Sequence, residues 1–104
     1  MNNMIEKDVL KLTVKKEWFD LMVTGEKTIE IRNPSKWIMS RLKNKLYNHI
    51  QFTNGYRTDS PKFIAEYMGY GTEVKETKHQ FSNGSSIISK PGDIVIFFSN
   101  PKRL

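Results

Sequence analysis

The spacing of apolar residues changes twice within residues 9–32, and this change limits the folds that the chain can adopt. Residues 9–14 alternate apolar and polar side chains, which predicts a strand with one buried face. Residues 16–24 carry apolar side chains at helical spacing, and Gly25 follows where a left-handed helix cap is common. Residues 27–32 return to alternation. The sequence therefore predicts strand, helix and strand in close succession.

A second helix is predicted to begin at Asn33-Pro34, with Asn as the N-cap and Pro at the first helical position. This helix would extend to about Lys45. Its buried row would consist of Ile38, Leu42 and Leu46.

The rest of the chain is predicted to be mostly strands separated by short turns. An uninterrupted apolar run at 94–98 is typical of a strand that is buried on both faces. The pattern predicts an α+β fold: a small curved sheet or barrel with two or so helices packed at its ends. The strands are predicted at 49–53, 62–70, 72–77 and 94–98, with turns or loops at Asn54-Gly55, Gly69–Gly71, Ser82–Ser86 and Pro91-Gly92.

Length and composition exclude several classes of protein. The 104 residues suit one domain, 1–104, with one modest core. The chain has no cysteine, which excludes a disulfide framework, a thiolate zinc site and a cysteine nucleophile. His49 and His79 lie far apart with no carboxylates at ligand spacing, so we expect neither a metal nor a cofactor. Residues 1–8 do not resemble a signal peptide and no run suits a membrane helix, so we expect a cytoplasmic protein without membrane contact.

The formal net charge of +6 is concentrated in the middle of the chain. From Arg32 to Arg57 there is no Asp or Glu, and Trp37, Tyr47 and Tyr56 are interleaved with the basic residues. Such a mixture can bind phosphates and stack on bases. It can equally be a solvated helix face whose aromatic side chains point into the core, and the sequence leaves both interpretations open.

The segment 25–32, Gly-Glu-Lys-Thr-Ile-Glu-Ile-Arg, is the strongest candidate for a functional site. If it is a strand, Thr28, Glu30 and Arg32 share one face, while Ile29 and Ile31 point to the core. Glu30 and Arg32 would then be about 6.6 Å apart along the strand. They could converge on a ligand together with Lys27, or form a surface ion pair worth only about 0–1 kcal/mol.

This segment resembles the Gly-x-Lys-x-x-Glu-x-Arg motif of the ASCH domain family, which belongs to the PUA-like superfamily. The four matching positions are Gly25, Lys27, Glu30 and Arg32. The flanking elements are similar as well: a strand and a helix precede the motif, and a Gly-Asp turn leads into the buried strand 94–98. The resemblance covers both ends of the chain, and the middle agrees only in the general order of its elements.

The resemblance implies a PUA-like β-barrel that binds RNA, or a modified nucleotide, in a cleft beside the motif. Lys27 and Arg32 would contact phosphate or a base edge, and Glu30 would orient Arg32 or accept a hydrogen bond from a base. Asn54 and Tyr56 would lie at the rim, unless they serve only as a turn residue and a packed ring. The expected ligand-binding residues are Lys27, Glu30, Arg32, Lys36, Asn54, Tyr56 and Arg57.

Some relatives of this fold are amidohydrolases that deacylate a modified cytidine with a lysine-activated threonine. Lys27 matches the lysine, but Glu30 occupies the threonine position, and Thr28 lies two residues away. As catalytic residues, Glu30 could act as a general base with Lys27 as oxyanion stabiliser, with Thr28 in reserve. A nuclease is a further option, although neither histidine lies in a catalytic motif. A module that inhibits or redirects a protein partner is the third possibility, and nothing in the sequence specifies that partner.

Overall fold

The predicted succession of strand, helix and strand is present in the computed structural model, which describes residues 9–104. Residues 1–8, where the sequence predicts no signal peptide, lie outside the described part. Within it, none of the helices is both long enough and apolar enough to cross a membrane. The elements are β1 (Val9–Val14), α1 (Lys16–Val23), β2 (Ile29–Arg32), α2 (Lys36–Leu42), β3 (His49–Asn54), β4 (Lys62–Thr72), β5 (Thr77–Gln80), β6 (Ser86–Ser89) and β7 (Ile94–Arg103).

Five strands form one sheet in the order β1-β3-β4-β7-β2, and β5 and β6 form a separate hairpin. β1 pairs with β3 in parallel, because α1, β2 and α2 intervene and return the chain to the same end of the sheet. The other pairings are antiparallel. The larger sheet curls into a half barrel, with β1 and β2 as its free edges. The expectation of an α+β, barrel-like domain is confirmed at this level.

The core fills the concave side of the curled sheet and is rich in aromatic rings. Phe63 lies at its centre, with ring centroids 5.2 Å from those of both Phe19 and Phe52. The helices contribute apolar side chains from one face each, as their spacing predicts. The buried residues of this core are Leu10, Leu12, Val14, Phe19, Met22, Ile38, Leu42, Ile50, Phe52, Phe63, Ala65, Ile94, Ile96 and Phe98.

The predicted start and end of the second helix are wrong. Its N-cap is Ser35, whose hydroxyl accepts a hydrogen bond of 3.1 Å from the backbone N–H of Ile38. The helix ends at Leu42, because Lys43 is extended and Asn44 has a left-handed φ of 58°. Leu46 was expected to continue the buried row but is exposed, because the helix does not reach it.

Strand boundaries in the second half of the chain also differ from the prediction. β4 does not break at 69–71: it continues to Thr72, and Gly69, with a φ of 95°, lies where the register with β7 shifts. The strand predicted at 72–77 is absent, because Thr72 ends β4, Thr77 begins β5 and residues 73–76 connect the two strands. β7 is ten residues long, and its Phe97 is 43% exposed, so the run 94–98 is not buried on both faces throughout.

The predicted orientation of β2 is inverted. Glu30 lies opposite Ile96 in the antiparallel pair, and residues opposite each other point to the same face of a sheet. Ile96 is fully buried in the core, so Glu30 also faces inward and is buried. Ile29 and Ile31, predicted to be core residues, are half-buried on the other face.

Candidate nucleic-acid interface

Lys27, Glu30 and Arg32 form one ionic network at the β2 edge of the half barrel. The Lys27 ammonium lies 3.4 Å from Oε1 of Glu30, and the Arg32 Nε donates to Oε2 of the same carboxylate over 2.7 Å. The side-chain exposure rises from 0% for Lys27 to 8% for Glu30 and 25% for Arg32. The motif therefore presents its arginine to solvent and keeps its lysine inside.

The position of Lys27 is determined by the end of α1. Gly25 adopts a φ of 87° after the helix, as predicted for a left-handed cap, and the Lys27 N–H then donates to the carbonyl of Leu21 over 3.0 Å. The ammonium donates to the carbonyl of Ile29 over 2.5 Å and lies 5.6 Å from the centre of the Trp18 ring. Burial lowers the pKa of Lys27, and the nearby Glu30 carboxylate opposes this shift.

Arg32 connects the two free edges of the curled sheet. From β2, its Nη2 donates to the carbonyl of Thr13 in β1 over 2.8 Å, while its Nε remains bonded to Glu30. These edges have no backbone pairing with each other, so the guanidinium bridges the opening of the half barrel. These bonds use two of its five N–H donors, and the side chain is 25% exposed.

Two adjoining cavities lie along this opening. The first, of about 190 Å³, is lined by Trp18, Glu30 and Arg32 together with Thr13–Lys15 and two isoleucines. The second, of about 430 Å³, is also lined by residues 13–15, so the two cavities adjoin at the end of β1. We call the combined lining of the two cavities the seam surface; the polar and aromatic members used below are Lys15, Lys16, Trp18, Arg32, Asn54 and Tyr56.

The seam surface brings together several residues that are distant in the sequence. Arg32, Asn54 and Tyr56 were expected to bind the ligand, and the last two line the second cavity. Tyr56 is 93% exposed, so its ring is not packed in the core. Lys15 and Lys16 were not identified from the sequence, because their only signal is their position at the start of α1, beside the edge of β1.

Other candidate residues lie elsewhere. Lys36 and Arg57 are exposed and line neither of these two cavities, and Arg57 pairs with Asp59 at 3.2 Å. Lys27 lines neither cavity either, because it lies behind Glu30. In the basic stretch, Trp37 is exposed and stacks against the Arg41 guanidinium at 5.6 Å from the ring centre.

Thr28 lines a different cavity, with a volume of about 550 Å³. We call it the hairpin cavity, because residues 79–82 of the β5–β6 hairpin form one wall. None of the residues 9–104 lines both this cavity and the seam surface. The side chains that define its chemistry are Glu26, Thr28, Glu73, His79, Gln80, Phe81, Ser82 and Phe97.

Within the described residues, no three His, Asp or Glu side chains come close enough to hold a metal ion.

Comparison of the chain with protein-family models, with curated proteins and with solved structures finds no match.

Proposed function

We propose that the protein is an ASCH-type domain of PUA-like fold that binds single-stranded RNA, or a modified nucleotide, on the seam surface. The motif at Gly25, Lys27, Glu30 and Arg32 supports the family, and the curled sheet is compatible with a PUA-like barrel. The observation that carries the binding proposal is that both seam cavities are lined by residues 13–15, which places Arg32, the lysines and Tyr56 around the same end of β1.

The charge of the seam surface suits a polyanion. Among the described residues, the larger seam cavity is lined by Lys15 and Lys16 and by no acidic side chain. Glu30 is the acidic residue of the smaller cavity, and two cations already neutralise it. Since phosphate contacts supply most of the affinity of proteins for nucleic acid, the lysines are the expected phosphate ligands.

Tyr56 and Arg32 give this surface the groups that hold bases. An exposed aromatic ring next to a basic groove is the usual platform for a base of single-stranded RNA. Glu30 and the Thr13 carbonyl fix the plane of the Arg32 guanidinium, so little side-chain entropy remains to be lost when it binds a phosphate or a base edge. Lys27 then acts indirectly, by holding Glu30 in place.

The same geometry favours binding over hydrolysis. In the amidohydrolase mechanism, the lysine must reach both a nucleophile and the substrate. The Lys27 side chain is fully enclosed and its ammonium is bonded to Ile29 and Glu30. Thr28, the reserve nucleophile, opens to the hairpin cavity, whereas Glu30 lines the seam.

The proposal is tested by fluorescence anisotropy with a short, labelled single-stranded RNA. Wild-type protein is expected to bind at about 50 mM salt, and the affinity should fall linearly with salt on a logarithmic scale. In Lys15→Ala/Lys16→Ala, the loss of two phosphate contacts should reduce the salt slope by about 1.4. Tyr56→Ala should weaken binding about tenfold, as expected for one lost base stack.

The control is Lys75→Ala/Lys90→Ala, which removes the same charge from exposed positions that line neither the seam nor the hairpin cavity. It should bind RNA nearly as well as wild type. The proposal is wrong if wild-type protein does not bind at low salt. It is also wrong if the control loses as much affinity as the Lys15/Lys16 variant, since binding would then follow total charge alone.

A further inference from the structure

The hairpin cavity has the opposite charge to the rest of the molecule. The chain carries 17 Lys and Arg residues against 11 Asp and Glu residues, yet no Lys or Arg from the described part, 9–104, lines this cavity. Its charged residues are Glu26 and Glu73, beside His79. A cavity of about 550 Å³ is within the range of small-molecule sites, and these carboxylates disfavour a phosphate-bearing occupant.

Both carboxylates are held in fixed positions by serines of the hairpin. Glu26 accepts hydrogen bonds from the N–H and hydroxyl of Ser82, at 2.9 and 2.5 Å. Glu73 accepts from the hydroxyl of Ser89 at 2.7 Å. These hydrogen bonds lower the pKa of Glu26 and of Glu73, and both carboxylates are ionised at neutral pH. A carboxylate has about four acceptor positions, so each retains capacity for a ligand.

The ring of His79 can add a third acceptor. The Ser89 hydroxyl has one proton, which it directs to Glu73, so its oxygen accepts the 3.1 Å hydrogen bond from Nε2 of His79. In the neutral ring, Nδ1 is then without a proton and can accept a hydrogen bond. The free acceptor positions of the two carboxylates and of the neutral His79 ring therefore favour a donor.

Aromatic rings supply the apolar part of the cavity. Phe97 is 43% exposed, and Phe81, half-buried, lies in the hairpin wall. Ile29 and Val95 complete the apolar lining. The faces of aromatic rings attract cations, particularly planar ones that can stack on them.

We propose that the hairpin cavity is a binding site for a small planar organic cation of the amidinium or guanidinium type, held by Glu26 and Glu73 and stacked against Phe81 or Phe97. Such a cation can donate two parallel hydrogen bonds to one carboxylate. This site is separate from the seam surface, so the proposal does not depend on RNA binding.

Benzamidine and benzamide form a matched pair of probes, because they have nearly the same shape and differ in charge. Their binding to the full chain can be followed by titration in ¹H–¹⁵N NMR spectra. Benzamidine is expected to bind at least about tenfold more tightly than benzamide, with shifts at residues of the hairpin cavity. Glu26→Gln and Glu73→Gln should each remove most of this preference. Glu76→Gln, an exposed control outside the cavity, should change affinity by less than about twofold.

Thr28→Lys provides a test that leaves the serine–carboxylate hydrogen bonds in place. Thr28 is exposed and lines the cavity, so the new ammonium should occupy the carboxylates and abolish benzamidine binding in a protein whose spectrum remains that of a folded domain. Equal affinity of wild-type protein for benzamidine and benzamide would overturn the proposal. Undiminished benzamidine binding by folded Thr28→Lys would do so too.

Discussion

Replacement of Lys27 by methionine removes a buried charge with little change in side-chain length. The ammonium has 0% exposure and contacts the carboxylate of Glu30 and the carbonyl of Ile29, so both acceptors lose a donor. Removing one partner from a buried ion pair costs about 3–5 kcal/mol, because the remaining charge is left without compensation. Arg32 still bonds to Glu30 at 2.7 Å, which places the expected loss near the lower limit, about 3 kcal/mol.

The chain contains its own control for this experiment. Lys16 and Asp20 also form an ion pair, at 2.5 Å, but their side chains are 77% and 51% exposed. Lys16→Met should therefore change the free energy of unfolding by only about 0–1 kcal/mol. In thermal unfolding, Lys27→Met should lower the midpoint by about 12–24 °C, given the usual sensitivity of a domain near this size.

A double variant separates the lost ion pair from a simple packing defect. Lys27→Met/Glu30→Gln removes both charges, so it should be more stable than Lys27→Met alone. The reasoning is refuted if Lys27→Met is as mild as Lys16→Met. It is also refuted if the double variant is less stable than the single one, since an unpaired Glu30 would then not be the source of the cost.

Three further outcomes are expected in urea denaturation. Arg32→Lys keeps the charge but loses the two-armed bridge to Glu30 and Thr13, and should lower the free energy of unfolding by about 1.5–3 kcal/mol. Ser35→Ala removes the side-chain cap of α2 and should cost about 1 kcal/mol. Burial raises the pKa of Tyr67 to about 12, above the ordinary value of 10.0, so its contribution to stability is complete below pH 10 and is lost as the pH rises toward about 12. Tyr67→Phe should reduce this alkaline loss; an unchanged loss would contradict the assignment to Tyr67.

The first elements of the fold could be predicted from the sequence, because the local sequence patterns there agree with one another. Alternation in 9–14, helical spacing in 16–24 and Gly25 after the helix all indicate the observed elements. The second helix was misjudged because Asn33-Pro34 and Ser35 are both plausible starts. Only the observed hydrogen bond from Ile38 to Ser35 distinguishes them.

The orientation of β2 could not be predicted, because the neighbouring strand β7 presents apolar side chains beside it on both faces of the sheet. Glu30 and Arg32 lie opposite core residues of β7, whereas Ile29 lies opposite Phe97 and beside the hairpin cavity. In a strand with alternating polar and apolar residues, the polar face is normally the one exposed to solvent. Here the Glu30 carboxylate points inward because the Lys27 and Arg32 cations pair with it there. The spacing of residues in the sequence does not reveal this pairing.

The composition of the candidate site was predicted only in part. Arg32, Asn54 and Tyr56 were expected together, and parallel pairing of β1 with β3 brings residues 13–15 beside 54–56. This pairing joins segments about forty positions apart in the sequence. Local sequence patterns do not predict contacts at such a separation. Lys15 and Lys16 were missed for this reason. The acidic hairpin cavity was missed because its lining residues come from several segments that are distant in the sequence.

The central proposal, that RNA binds the seam surface, is tested most directly by ¹H–¹⁵N NMR mapping with a short single-stranded RNA. The backbone signals of Lys15, Lys16 and Tyr56 and the Nε–H signal of Arg32 are expected to shift together in one saturable titration. Shifts confined to α2, around Trp37 and Arg41, or to the hairpin cavity, would contradict the proposal, because the RNA would then bind a different surface.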